Sequence, residues 1–289
     1  METWEESYEG HRLLKARIGA LIVGVALDIG PRILWLSHVE KPGVNVFGYA
    51  GNVELATEDG VWRLYGGHRL WVAPEKKPRS YSIDDKPVNI RITLDELIVE
   101  GPIEQKNCVK KIFRVRPGSY PYEIIIHHEV VNICRWPIRF ANWAITVMRP
   151  GGVAYIPFKP ACVDRDCLLP DRVVVFWSYT DPRDPRLVYG SDFIVVKHDP
   201  GLRKPFKIGV KGHEAVVKYT VEGLEFAKES LLENAEYPDL GSNIEVYANA
   251  EIVELETLGP LRTVGEGEIN IHVEKWRLVP VAAEKELSN

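Results

Sequence analysis

The punctuation of this chain limits its fold more than any other feature. Twenty prolines and 23 glycines are scattered along 289 residues, and short runs rich in Val, Ile, Tyr and Phe lie between them. Examples are "YEIIIHHEVVN" (122–132), "RVVVFWSYT" (172–180), "DFIVVKH" (192–198), "EAVVKYTV" (214–221) and "NIEVYANAEIVELETL" (243–258). Runs of that length and composition read as β-strands, because branched and aromatic side chains fit a pleated, half-buried surface. Turn chemistry separates them: "EDG" at 58–60, "RPGG" at 149–152, "DPRDPR" at 181–186 and "DPG" at 199–201. Long helices have little room. The stretch "GLEFAKESLLEN" (223–234) fits a helical stripe through Leu224, Ala227, Leu231 and Leu232, but Leu224, Phe226 and Lys228 also alternate as in a strand. Neither repeat nor linker interrupts the pattern, so the expectation is all-β: one antiparallel sandwich domain over residues 1–289.

Composition excludes several partners. The 36 basic and 41 acidic residues give a net charge of −5 with no basic cluster, which argues against nucleic acid and anionic membrane. The longest apolar stretch, Ile18 to Gly30, is too short to span a bilayer and is broken by Asp28. The first ten residues carry four glutamates and no lysine or arginine, unlike a secretory leader, so a cytoplasmic location is expected. Gln105 is the only glutamine and methionines number two, a composition seen in heat-adapted proteins. In such a protein Cys162 and Cys167 could bridge a loop, or all four cysteines could stay free and buried. No CxxC pair, HExxH or other ligand spacing points to a metal, and no cofactor is expected. Oligomeric state is not legible.

Strand phase brings the candidate chemistry together near the end of the chain. Glu245, Tyr247 and Asn249 share one face of their strand, and Glu254 and Glu256 share a face after Ala250. In "EINIHVEKWRL" (268–278), Asn270, His272, Glu274 and Trp276 lie together; if this strand forms a hairpin with the preceding one, carboxylates, an imidazole and an indole converge. Alternating charges are also what a solvated sheet face shows. Upstream, "GGHRLW" (66–71) sets His68, Arg69 and Trp71 beside two glycines that permit a tight turn: either one wall of a binding site or a polar hairpin end.

These segments resemble the galactose mutarotase-like superfamily. In its aldose 1-epimerases a strand of the form LQ-x-YTGN precedes one with LE-x-Q, then a PGE turn and an aromatic-ended strand. Here Glu245–Asn249, Leu255–Leu258, "EGE" and "HVEKW" stand in that order. The chain is similar still more closely to the DUF4380-type branch, through "GGHRLWVAPE" (66–75), the Trp143–Gly152 segment, "KIG" (207–209) and "YPD" (237–239). The likeness runs from about Leu34 to Leu278.

The resemblance implies a supersandwich of two large twisted antiparallel sheets with a sugar-sized cleft, and a small carbohydrate as partner. Aldose epimerases open the pyranose ring with a carboxylate that takes the anomeric proton and an acid that protonates the ring oxygen. Glu256 falls at the base position and Arg69 near the substrate-binding arginine. The family's histidine strand aligns with "RFANWAITVM" (139–148), where Trp143 stands instead of an imidazole. His272 is then the leading substitute acid, with His68 and His127 as others; His128, in phase with Ile124, Ile126 and Val130, reads as a core residue. Trp71, Tyr247, Glu245, Glu254, Glu274 and Lys207 complete the expected sugar contacts, with Lys207 able to meet a phosphate. The activity implied is that of an aldose 1-epimerase-like isomerase, or sugar binding without catalysis. A sandwich serving as scaffold or interaction surface is the alternative.

Overall fold

The computed structural model describes residues 1–281. Among them no α-helix forms; two single 3-10 turns, Arg79–Tyr81 and Asp239–Gly241, are the helical content. The undecided stretch is resolved as the strand Leu224–Ser230, which buries Leu224, Phe226 and Lys228 on one face and so obeys period two.

Two large sheets face each other. The first has the order Glu2–Tyr8, His11–Ile18, Leu21–Ala26, Arg32–His38, His68–Ala73, Ile138–Met148, Val253–Leu258, Ile244–Ala248, Phe206–Lys211 and Val173–Phe176; Arg262–Val264 also pairs with Ile138–Met148. The second runs Leu187–Tyr189, Phe193–Lys197, Val153–Pro157, Val216–Val221, Leu224–Ser230, Ile269–Pro280, Glu123–Asn132, Val109–Pro117, Leu97–Glu104 and Asn89–Ile92. Pairing through the centre of both is antiparallel. The inner faces interdigitate in one apolar core, with Phe47, Phe226 and Trp276 meeting edge to face. This is the all-β supersandwich that the strand pattern and the resemblance imply.

A separate hairpin, Tyr49–Thr57 with Gly60–Gly66, lies against the first sheet. A smaller apolar cluster joins Trp62 and Leu64 of the hairpin to Trp71, Trp143 and Ile145 of the sheet. The sheet is therefore covered on both faces at its centre, and all six residues of Val253–Leu258 are buried. The chain passes from hairpin to sheet through Gly66 and Gly67, with φ of +91° and +60°. A Cβ would come within 2.2 Å of the Gly48 carbonyl oxygen at the first and 2.3 Å of that of Ile33 at the second. Only glycine allows this approach. Cys162 and Cys167 are joined as a disulfide, while Cys108 and Cys134 are free.

One expectation is corrected at this level. The strands Val253–Leu258 and Ile269–Pro280 do not form a hairpin. Between them the short strand Arg262–Val264 pairs with Ile138–Met148, and the chain then crosses to the second sheet. Ile269–Pro280 pairs there with Glu123–Asn132 and Leu224–Ser230. Sequence nearness suggested adjacency, but the connection spans the two layers.

Candidate functional site

The outer face of the first sheet carries a cleft of about 380 Å³. Register explains its content. Arg69 lies opposite Ile145, Ile145 opposite Glu256, and Glu256 opposite Glu245, a row crossing four strands. A second row runs from Val147 through Glu254 and Tyr247 to Lys207. Because side chains alternate along each strand, Trp71 and Trp143, two positions from Arg69 and Ile145, share that outer face.

Glu256 is the centre of the arrangement. It is 1% exposed, and its Oε2 accepts hydrogen bonds from the indole Nε1 of Trp143 at 2.7 Å and from Lys207 Nζ at 2.8 Å. Lys207 also lies 2.7 Å from Oε2 of Glu245 and over the rings of Trp143 and Trp177, at 4.6 and 4.7 Å. Burial disfavours the charged form of Lys207, but the two carboxylates outweigh it and hold the ammonium charged. Glu245 is fully buried behind this ammonium; desolvation pushes its carboxyl well above the usual range despite Lys207, with Glu256 adding to the rise. Arg69 donates from Nη1 to Oε1 of Glu254 at 2.9 Å and stacks over Trp71 at 4.6 Å. Burial raises the Glu254 carboxyl as well.

Aromatic walls surround these charges. Trp71 meets Trp62, Trp143 and Tyr81 at ring distances of 5.6, 5.6 and 5.3 Å. Trp177 and Tyr179 close the far side with Tyr247. Of the sequence candidates, Arg69, Trp71, Trp143, Lys207, Tyr247, Glu254 and Glu256 line the cleft, and Glu245 stands directly behind Lys207. Sequence reasoning missed Trp62, Tyr81, Trp177, Tyr179 and Glu75. Signals for some of them exist in "VWRLYGG" (61–67) and "VFWSYT" (175–180), where large aromatics alternate before turns.

The histidines and Glu274 are placed elsewhere, which corrects the sequence reading. His68 precedes Arg69, so strand alternation aims it inward; it is fully buried between the sheets. His272 and Glu274 belong to the second sheet, where His272 faces His128 in register. They too point into the sandwich. His127 lies on the outer face of the second sheet, opposite Arg114 and Val273. Among the described residues no imidazole lines the cleft.

Inside the sandwich these groups form a closed polar network. His68 Nε2 and His128 Nε2 share a hydrogen bond at 2.7 Å, His68 Nδ1 meets Thr146 Oγ1 at 2.9 Å, and His128 Nδ1 donates to the His272 carbonyl at 3.0 Å. Lys228 Nζ reaches Glu274 Oε1 at 2.8 Å, the Ala144 carbonyl at 3.0 Å and Thr146 Oγ1 at 3.1 Å. Thr257 donates to Glu274 Oε1 and bonds to His272 Nε2, and Trp276 Nε1 donates to Glu274 Oε2 at 2.8 Å. Burial pushes the imidazoles down, to about 4 for His128 and about 3 for His272. They are neutral at physiological pH. His68, His128 and Glu274 hold ligand atoms within 4.8 Å of one another, but both Glu274 oxygens are already engaged and a metal cation would sit beside the Lys228 ammonium in a dry interior. The donor set fits a hydrogen-bond network and not a metal.

No protein-family model and no curated protein matches the chain by sequence. Solved structures do match its shape. A TPR-domain containing protein from Parabacteroides distasonis superposes with a TM-score of 0.59 at 11% identity, over 96% of this chain and 49% of that one, so the chain spans about half its length. A candidate mutarotase from Salmonella typhimurium gives 0.58 at 10% identity, covering 96% and 94% of the two chains. A galactose mutarotase-like protein from Lactobacillus casei gives 0.54 at 8%, covering 92% and 100%. At such identities the likeness establishes architecture, and the architecture of this chain is the galactose mutarotase-like fold.

Proposed function

We propose that this protein binds a monosaccharide in the cleft around Glu256, and that its capacity for anomerisation is weak. The observation that carries this reading is the state of Glu256: desolvated, with Oε2 fixed by Trp143 and Lys207. Among the described residues its Oε1 has no protein partner, so it is free to accept from a sugar hydroxyl. Indole faces suit the C–H side of a pyranose ring, and the Arg69 guanidinium supplies planar donors to its oxygens. Mutarotase-like proteins of the same fold make a sugar the natural ligand class. The four segments that resemble the DUF4380-type branch contribute Arg69 and Trp71, Trp143, and Lys207 to the cleft, with Asp239 beside Glu245 behind it. This convergence supports placing the protein in that branch.

Catalysis needs a second group. Glu256 can serve as base, but Trp143 occupies the expected acid position and its indole N–H cannot protonate a ring oxygen near neutral pH. Absence of a positioned acid costs roughly 10²- to 10⁴-fold in ring opening. Calorimetric titration with a panel of aldoses, beside polarimetry of freshly dissolved α-anomers on wild type and Glu256→Gln, tests both halves. Sugar binding with slow mutarotation is expected. A fast rate abolished by Glu256→Gln would show an acid that this reading lacks, and no binding across the panel would favour a scaffold.

A further inference from the structure

The charge pairing inside the cleft defines the class of sugar it accepts, given that it binds sugar at all. Two cations and three carboxylates line it: Arg69 and Lys207 against Glu75, Glu254 and Glu256. Neither cation carries an uncompensated charge. The Lys207 ammonium is boxed by two carboxylates at 2.7 and 2.8 Å and by two indole faces. Arg69 is tied to Glu254 and covered on one face by Trp71. A phosphate or carboxylate group entering the cleft would have to break one of these pairs or lie unscreened beside Glu254 and Glu256. Both courses are unfavourable in the partly desolvated cleft.

An ammonium meets the opposite situation. Oε1 of Glu256 and Oε2 of Glu254 accept no hydrogen bond among the described residues. Glu75 at the mouth receives the Tyr81 hydroxyl on Oε1 alone. The surrounding Trp and Tyr faces attract cations through their ring quadrupoles. Desolvation lifts the Glu254 carboxyl, and a cation delivered by the ligand would oppose that rise.

We infer that the cleft selects amino sugars: it prefers an aldose bearing a protonated amine to the parent neutral aldose, and it rejects phosphorylated and uronic forms. This rests on the sugar-binding reading above and narrows it. The expected preference for the amine is roughly tenfold or more, the size of one partly desolvated cation contact with carboxylate or aromatic face. It should shrink as salt is added, because only part of the cleft is shielded from solvent.

The test is calorimetric titration at neutral pH with matched sets built on galactose, glucose and mannose. Each set holds the neutral sugar, its 2-amino and 6-amino derivatives, the N-acetylated amine, the 6-phosphate and the uronate. Tighter binding of an amine, abolished by N-acetylation, with phosphate and uronate binding weaker than the parent, supports the inference. Wild type and Glu75→Gln are compared by the ratio of amine to parent affinity, which cancels any loss of folded protein; the ratio should fall in the variant. Parent sugars binding as well as their amines, or a phosphate binding best, would overturn the inference and leave the sugar-binding reading standing. Failure of every sugar would remove both.

Discussion

Replacing Lys228 by methionine is expected to be among the most damaging single changes outside the cleft. The side chain is fully buried, and its ammonium is the only cation in contact with the fully buried Glu274 among the described residues. Burial alone pushes the Glu274 carboxyl upward, but Lys228, with His128 and His272, outweighs it and holds it at about 2. Methionine fills the volume and removes the charge, leaving a carboxylate in the core with only Thr257 and Trp276 as donors. Breaking a buried pair from one side costs about 3–5 kcal/mol. That is a large share of the roughly 5–15 kcal/mol that stabilises a typical native protein.

The pH dependence has a definite sign. In the wild type the folded carboxyl titrates below its unfolded value of 4.5, so the pair's contribution is complete above that pH and is lost as pH falls toward 2. In Lys228→Met desolvation is expected to lift the folded carboxyl above 4.5, so the deficit should be largest at neutral pH and shrink on acidification. Proton uptake by His128, which would replace the missing ammonium, works in the same direction. The measurement is urea unfolding followed by tryptophan fluorescence at pH 7 and near pH 5, for wild type, Lys228→Met, Glu274→Gln and the double variant. The double variant should recover about 2 kcal/mol relative to Lys228→Met, because a neutral pair no longer strands a charge. A loss under about 1 kcal/mol in the single variant, or additivity of the two changes, would refute the argument, since contacting partners of a buried pair must couple.

Other outcomes follow from the same geometry. Three buried neutral histidines take up protons only on unfolding: burial depresses His68 well below 6.5, His128 to about 4 and His272 to about 3. Stability is therefore complete above pH 6.5 and falls below it, with a slope approaching about 4 kcal/mol per pH unit when all three protonate in the unfolded chain; a flat stability profile between pH 6.5 and 4 would contradict the closed network. Arg69→Lys should weaken sugar binding roughly tenfold without changing the thermal midpoint by more than a few degrees, because lysine keeps the charge but loses the planar stack on Trp71; unchanged affinity by calorimetry would remove Arg69 from the site.

How much of this was legible in the sequence follows from what is local and what is not. The pleat is local: consecutive side chains on a strand point to opposite faces whatever the strand pairs with. Period two therefore grouped Glu254 with Glu256, Glu245 with Tyr247, and Arg69 with Trp71, and turn residues marked the strand ends. The same rule, applied to "HR" at 68–69, already forbids His68 and Arg69 from sharing a cleft. Sheet membership is not local. The chain segment after Leu258 could return beside its predecessor or cross to the other layer, and only the summed burial of two eleven- and ten-stranded faces decides between them. That choice moved His272 and Glu274 from the cleft into the core, where they join His68, His128 and Lys228 from three other strands. Long-range pairing within the first sheet also gave Lys207 two carboxylate partners, Glu245 on the adjacent strand and Glu256 on the one beyond, turning a lysine that could meet a phosphate into one already neutralised. Composition and alternation set the all-β class and the outward carboxylates; long-range strand pairing decided which charges meet, and with them what the cleft can bind.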